Sequence, residues 1–91
     1  MATLLKIHDD GREEFKEGGA RVDAIKYTNG LFDSVAGHKP IVGCSLLVGS
    51  VTARSYSDQD YWLTTEITEI LEETEEYCLF KTLNSTYKLL K

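Results

Sequence analysis

Proline occurs once, at Pro40, and cysteine only twice, at Cys44 and Cys78, in a chain of 91 residues. A proline-rich linker and a disulfide framework are therefore both excluded, and neither cysteine stands in a Cys-x-x-Cys pair of the zinc or redox kind. Both lie among apolar residues, as buried thiols do. With His8 and His38 they make four scattered soft or imidazole groups and no ligand cluster. Basic residues are also scarce, ten Lys and Arg against fifteen Asp and Glu, for a net charge of −5. Lys6, Arg12, Lys16, Arg21, Lys26, Lys39 and Arg54 stand singly, most with an acid nearby. No basic stripe matches a phosphate backbone, and direct nucleic-acid binding is not expected.

Long apolar runs are missing as well. The longest, Pro40 to Val51, is broken by Ser45 and Ser50 and falls far short of the ~20 residues of a helical membrane crossing. The start, Met-Ala-Thr-Leu-Leu-Lys-Ile-His-Asp-Asp, has no basic region ahead of its apolar residues and does not read as a secretory signal. The expectation is a cytoplasmic protein that does not enter a membrane. Val48-Gly49-Ser50-Val51 lacks the spacing and the Lys-Ser/Thr ending of a phosphate loop. Gly43-Cys44-Ser45 is not a nucleophile elbow. Asn84-Ser85-Thr86 matches the glycosylation acceptor pattern but reads better as a turn. Nothing singles out one acid of the fifteen as a raised-pKa carboxyl. No catalytic residue, metal or cofactor is expected, and the chain does not read as an enzyme.

What is present is a chain of 42% hydrophobic residues, read as a single domain over residues 1–91. A domain this short buries only about 60–65% of its unfolded surface, so its core is thin and a homodimer would supplement it. Thr3 to His8 alternates as a strand, Asp9-Asp10-Gly11 as a turn, and Arg12 to Phe15 as a short returning strand. Lys16-Glu17-Gly18-Gly19 reads as a break. Ala20 to Tyr27 fits a strand with Ala20, Val22 and Ala24 on one side and Ile25 and Tyr27 on the other, or one to two helical turns. Asn29-Gly30 is a strong hairpin turn. Leu31 to Ala36 reads as a short helical turn packing Leu31, Phe32 and Val35 inward, stopped by Gly37 and Pro40.

Ile41 to Ala53 is rich in branched apolar residues, with glycines that suit a bend at a barrel corner. Tyr61 to Ile70 reads as a strand that needs a bulge where Ile70 and Leu71 fall out of phase. The alternative over residues 65–73 is a helix with Ile67, Ile70 and Leu71 on one face. Tyr77 to Thr82 and Thr86 to Leu90 are strands around an Asn84-Ser85 turn, which aligns Phe80, Thr82, Tyr87 and Leu89 as core or cross-strand residues. The sum is a mainly β fold: a curved antiparallel sheet or partly open barrel of four to six short strands, with at most one or two helical turns.

Two features point to function. Tyr56, Asp58, Asp60, Tyr61 and Trp62 put aromatics and acids around the most polar loop, a composition suited to a contact surface. The same pattern also arises when Trp62 is simply the core tryptophan. From Glu66 to Glu76 there are six glutamates and no basic residue. Glu66, Glu69, Glu72 and Glu73 then form a negative stripe suited to steering a basic partner. The expected function is a non-catalytic protein-interaction module that self-associates as a homo-oligomer, using an acidic and aromatic surface. One alternative is a ligand-binding or hydrolytic barrel mouth that converges Asp58, Asp60 and His38. Another is an acidic decoy or inhibitor of a basic nucleic-acid-binding protein.

Overall fold

In the computed structural model, which describes residues 2–49 and 61–91, all regular structure among the described residues is strand. The strands are β1 (Ala2–Ile7), β2 (Glu13–Gly19), β3 (Arg21–Thr28), β4 (Leu31–Gly37), β5 (Ser45–Gly49), β6 (Tyr61–Glu73), β7 (Tyr77–Thr82) and β8 (Thr86–Leu90). They form one antiparallel sheet in the order β2-β1-β8-β7-β6-β5-β3-β4. The sheet curls into a half-barrel, bringing β2 against β5 and β6. The expected curved antiparallel fold is thus observed, with eight described strands where four to six were expected.

Alternation sets the inner face. Leu4 lies opposite Leu89, Leu89 opposite Cys78, and Phe80 opposite Tyr87. These residues join Ala2, Leu46, Val48 and Ile67 in a single buried cluster, with Val22, Trp62 and Ile70 packed against it. The Phe80 and Tyr87 rings stack with centroids 5.8 Å apart. The four residues aligned from the final hairpin, Phe80, Thr82, Tyr87 and Leu89, are all buried, as expected.

Curvature comes from irregular pairing. On β6, Thr68 and Leu71 are each one residue more than β7 matches, because the register shifts between Ile67 and Glu69 and again between Ile70 and Glu72. Extra residues of this kind bend and twist the strand that carries them. A third shift lies between Ser45 and Leu47, where β5 meets β6. There the Thr64 hydroxyl accepts the Leu46 N–H at 2.9 Å and donates to the Thr65 carbonyl.

Two expectations are corrected, and one open alternative is resolved. For residues 65–73 the strand reading holds and only its helical alternative is set aside, since the helical spacing of Ile67, Ile70 and Leu71 arises from the bulges. Lys16-Glu17-Gly18-Gly19 does not end the strand but forms the end of β2: Lys16 is the extra residue of a register shift, and Glu17, Gly18 and Gly19 lie opposite Leu4, Thr3 and Ala2. One residue later the chain has entered β3, so a glycine pair sits where the chain turns from one edge of the half-barrel toward the other. Leu31 to Ala36 is not a helical turn. It belongs to β4, because the Asn29-Gly30 turn (φ 55° and 79°) returns the chain alongside β3. Of the Ile41 to Ala53 run, Ser45–Gly49 is strand, Gly43 makes a turn with φ 92°, and residues 50–53 lie outside the described residues.

Candidate functional site

β5 runs alongside β3 only as far as Ile25, which faces Ser45. Beyond that point β3 has β4 as its neighbour, with Lys26 opposite Ser34, Tyr27 opposite Phe32 and Thr28 opposite Leu31. The β3–β4 hairpin is therefore an arm at the end of the sheet, and β4 is its edge strand. Opposite residues share a face, so Tyr27, Phe32 and Val35 stand together beside Ile25. Their exposures are 41%, 62% and 44%, and Leu31 at the turn reaches 73%. Isolated exposed apolar side chains are ordinary, but a contiguous set marks a contact surface.

The two edges of the sheet differ in chemistry. β2 carries Glu13, Glu14, Lys16 and Glu17 among its seven residues, the charged kind of edge that discourages strand addition. On β4 the only charged residue is Asp33, whose carboxylate accepts the Thr28 hydroxyl at 3.2 Å within the same hairpin. Two register shifts in the β3–β4 pairing add twist to this edge without adding charge.

No family model, curated protein or solved structure matches this chain.

The residues read from the sequence as a contact surface divide into three groups. Tyr56, Asp58 and Asp60 lie outside the described residues. Tyr61 and Trp62 open β6 opposite Gly49 and Val48. Trp62 turns inward against the core cluster, which is the core-tryptophan reading of that segment. Its ring is capped by the Lys16 ammonium at 4.9 Å, and its Nε1 is buried with no hydrogen-bond partner among the described residues.

The glutamates form the third group. Strict alternation would send Glu66 and Glu69 to opposite faces, but the bulge at Thr68 realigns them, and the one at Leu71 does the same for Glu72. Glu66 faces Ser45, Glu69 faces Lys81 and Glu72 faces Leu79, all on the outer side, while Glu73 faces the inward Cys78. Among the described residues Glu66 and Glu69 have no cation within 4 Å. Glu72 accepts the Tyr77 hydroxyl, and that bond raises the Tyr77 pKa above the ordinary phenol value. Glu73 pairs with Lys91 at 3.4 Å.

A second polar cluster lies at the base of the arm. Asp23 is buried and is held by Arg21 Nε at 2.8 Å and by His38 Nδ1 at 2.9 Å. Burial works against its charge. The hydrogen bonds from Arg21 and His38 outweigh that and hold the Asp23 pKa below the usual aspartate value. His38 Nδ1 also lies 3.2 Å from the Val22 carbonyl, so this histidine is tied to β3.

The exposed face of the arm is hidden in the sequence because the apolar spacing of Leu31, Phe32 and Val35 is also that of a buried helical turn. The signal was nonetheless available. A two-residue Asn-Gly turn forces strands on both sides, and it sets Tyr27 and Phe32 near each other across the hairpin.

Proposed function

We propose that this chain is a non-catalytic interaction module that self-associates through the edge of the β3–β4 arm. The observation that carries the reading is the exposed apolar set of Phe32 and Val35 on the edge strand β4, which carries a single charge, with Tyr27 beside them on β3 and Leu31 at the turn. A second copy suits this surface better than a charged partner does. Two chains of net charge −5 repel each other. The repulsion is least where the arm offers only Lys26 and Asp33, which balance. A twofold axis is the commonest way to close such a contact. Antiparallel β4 strands placed with Phe32 opposite Val35 of the second copy would stack the two apolar pairs on one face.

Sedimentation equilibrium tests the reading. The wild type is expected to dimerise in the micromolar range, and Phe32→Lys and Val35→Glu are expected to raise the dissociation constant at least about tenfold, the size of a central interface residue. Both side chains are exposed, so the monomer keeps its fold. A wild-type monomer mass at all concentrations up to about the solubility limit would remove the proposal.

The acidic row supports a second reading, in which the outer face of β6 attracts a basic protein. Its specific support is the alignment of Glu66, Glu69 and Glu72 by the two bulges. Titration of an oligolysine peptide, followed by amide shifts, is expected to move these three positions at low salt. The Glu66→Gln, Glu69→Gln, Glu72→Gln triple variant is expected to lose the response.

A further inference from the structure

We propose that the open end of the half-barrel is a binding pocket for a small aliphatic carboxylate. A cavity of about 420 Å³ lies there, within the ~300–1,000 Å³ range of small-molecule sites. Its apolar wall is made by Ala2, Ala20, Val22, Pro40 and Leu89. Of these, Ala2 and Leu89 belong to the core cluster and Val22 packs on it, so the wall is fixed by the fold. Such a wall suits a hydrocarbon tail and offers it no polar partner.

The rim determines the head group. Lys39, Lys91, His38 and Glu73 line it. Lys91 is already engaged, donating to the Thr74 carbonyl at 2.7 Å and pairing with Glu73 at 3.4 Å. His38 is tied to Asp23. Lys39 is different: among the described residues no carboxylate lies within 4 Å of it. With Glu73 offset by Lys91, Lys39 leaves the rim with an excess positive charge on a chain whose net charge is −5. A free ammonium beside an apolar wall complements a ligand that is anionic at one end and aliphatic along the rest. The site is independent of the β4 edge, so it stands or falls separately from self-association.

Octanoate is the probe, with octylamine as the control of the same tail and opposite charge. Titration of the full chain, followed by backbone amide shifts, is expected to give saturable changes at Ala20, Val22, Lys39 and Leu89 with octanoate and none with octylamine. Lys39→Gln is expected to weaken octanoate about tenfold, the loss of one charge-assisted contact. Ala20→Phe, which fills the mouth from an exposed position, is expected to abolish saturation while leaving the melting midpoint unchanged. The proposal is overturned if octanoate produces no saturable shift at these residues up to millimolar concentration. It is equally overturned if octylamine binds as well, or if both variants bind octanoate like the wild type.

Discussion

The ammonium of Lys16 on β2 lies 4.9 Å from the ring centroid of Trp62 on β6, across the seam where the curled sheet meets itself. No ladder hydrogen bonds join these two strands, so side chains hold this part of the half-barrel closed. The lysine is mostly buried, which strengthens its attraction to the indole face. Lys16→Met keeps the aliphatic stem and removes the charge, and is expected to cost about 0.5–1 kcal/mol in urea denaturation. A double-mutant cycle with Trp62→Leu should return a coupling of similar size. Additive single-variant effects would mean that the two groups are merely adjacent.

Phe80 is fully buried and stacked on Tyr87 at the centre of the inner face. Phe80→Ala is expected to cost about 3–5 kcal/mol. For a domain of this size that approaches the whole stability. The variant should be largely unfolded at room temperature by far-UV circular dichroism, whereas Phe80→Leu should remain folded with a lowered melting midpoint. An Ala variant as stable as the wild type would contradict the assignment of this ring to the core.

Asp23 gives the fold a pH dependence of defined sign. Its pKa in the folded chain lies below the unfolded value of about 3.9. The stabilisation is therefore fully present above about pH 4 and is lost as the pH falls through the folded pKa. Asp23→Asn should be less stable than the wild type near neutral pH, with the gap closing below about pH 4. Thermal melts from about pH 7 to pH 2.5 check this. A gap that stays constant with pH would show that the carboxylate's charge contributes nothing.

The Cys78 thiol is buried, and burial, with the neighbouring Glu73 carboxylate, raises its pKa above the ordinary value. A thiol that is both inaccessible and protonated is a poor nucleophile. Cys78 is expected to resist iodoacetamide at pH 8 until urea unfolds the chain, as read by mass spectrometry of peptides. Rapid alkylation of the native protein would place Cys78 outside the core.

The parts of the fold legible in the sequence are those where alternation is regular. β7 and β8 were read with their observed bounds because Phe80 and Thr82, then Tyr87 and Leu89, fall at every second position around a short turn. β6 was ambiguous for a physical reason. An extra residue after Ile67 and another after Ile70 convert period two into spacings of three, which is also the spacing of a helical face. β4 is hard to read from sequence because the pattern of Leu31, Phe32 and Val35 suggests burial, and an edge strand can leave such residues exposed. The rim of the open end was not legible at all. Lys39 and Glu73 are far apart along the chain and meet only when the sheet curls.

Thr68 and Leu71 have a role that neither hydrophobicity nor charge reveals. If both were deleted, Ile67, Glu69, Ile70, Glu72 and Glu73 would still find Thr82, Lys81, Phe80, Leu79 and Cys78 in unbroken succession, each keeping its side of the sheet. The chemistry of the strand would survive intact while its bend would not. These two residues thus act as spacers that encode shape, with the Thr68 hydroxyl adding one bond to the Lys81 carbonyl at 3.2 Å. A chain lacking both is expected to retain strand content by circular dichroism but to open the seam, exposing Trp62 and shifting its fluorescence to the red. Outline and surface are specified by different residues on one strand, and each can change without disturbing the other.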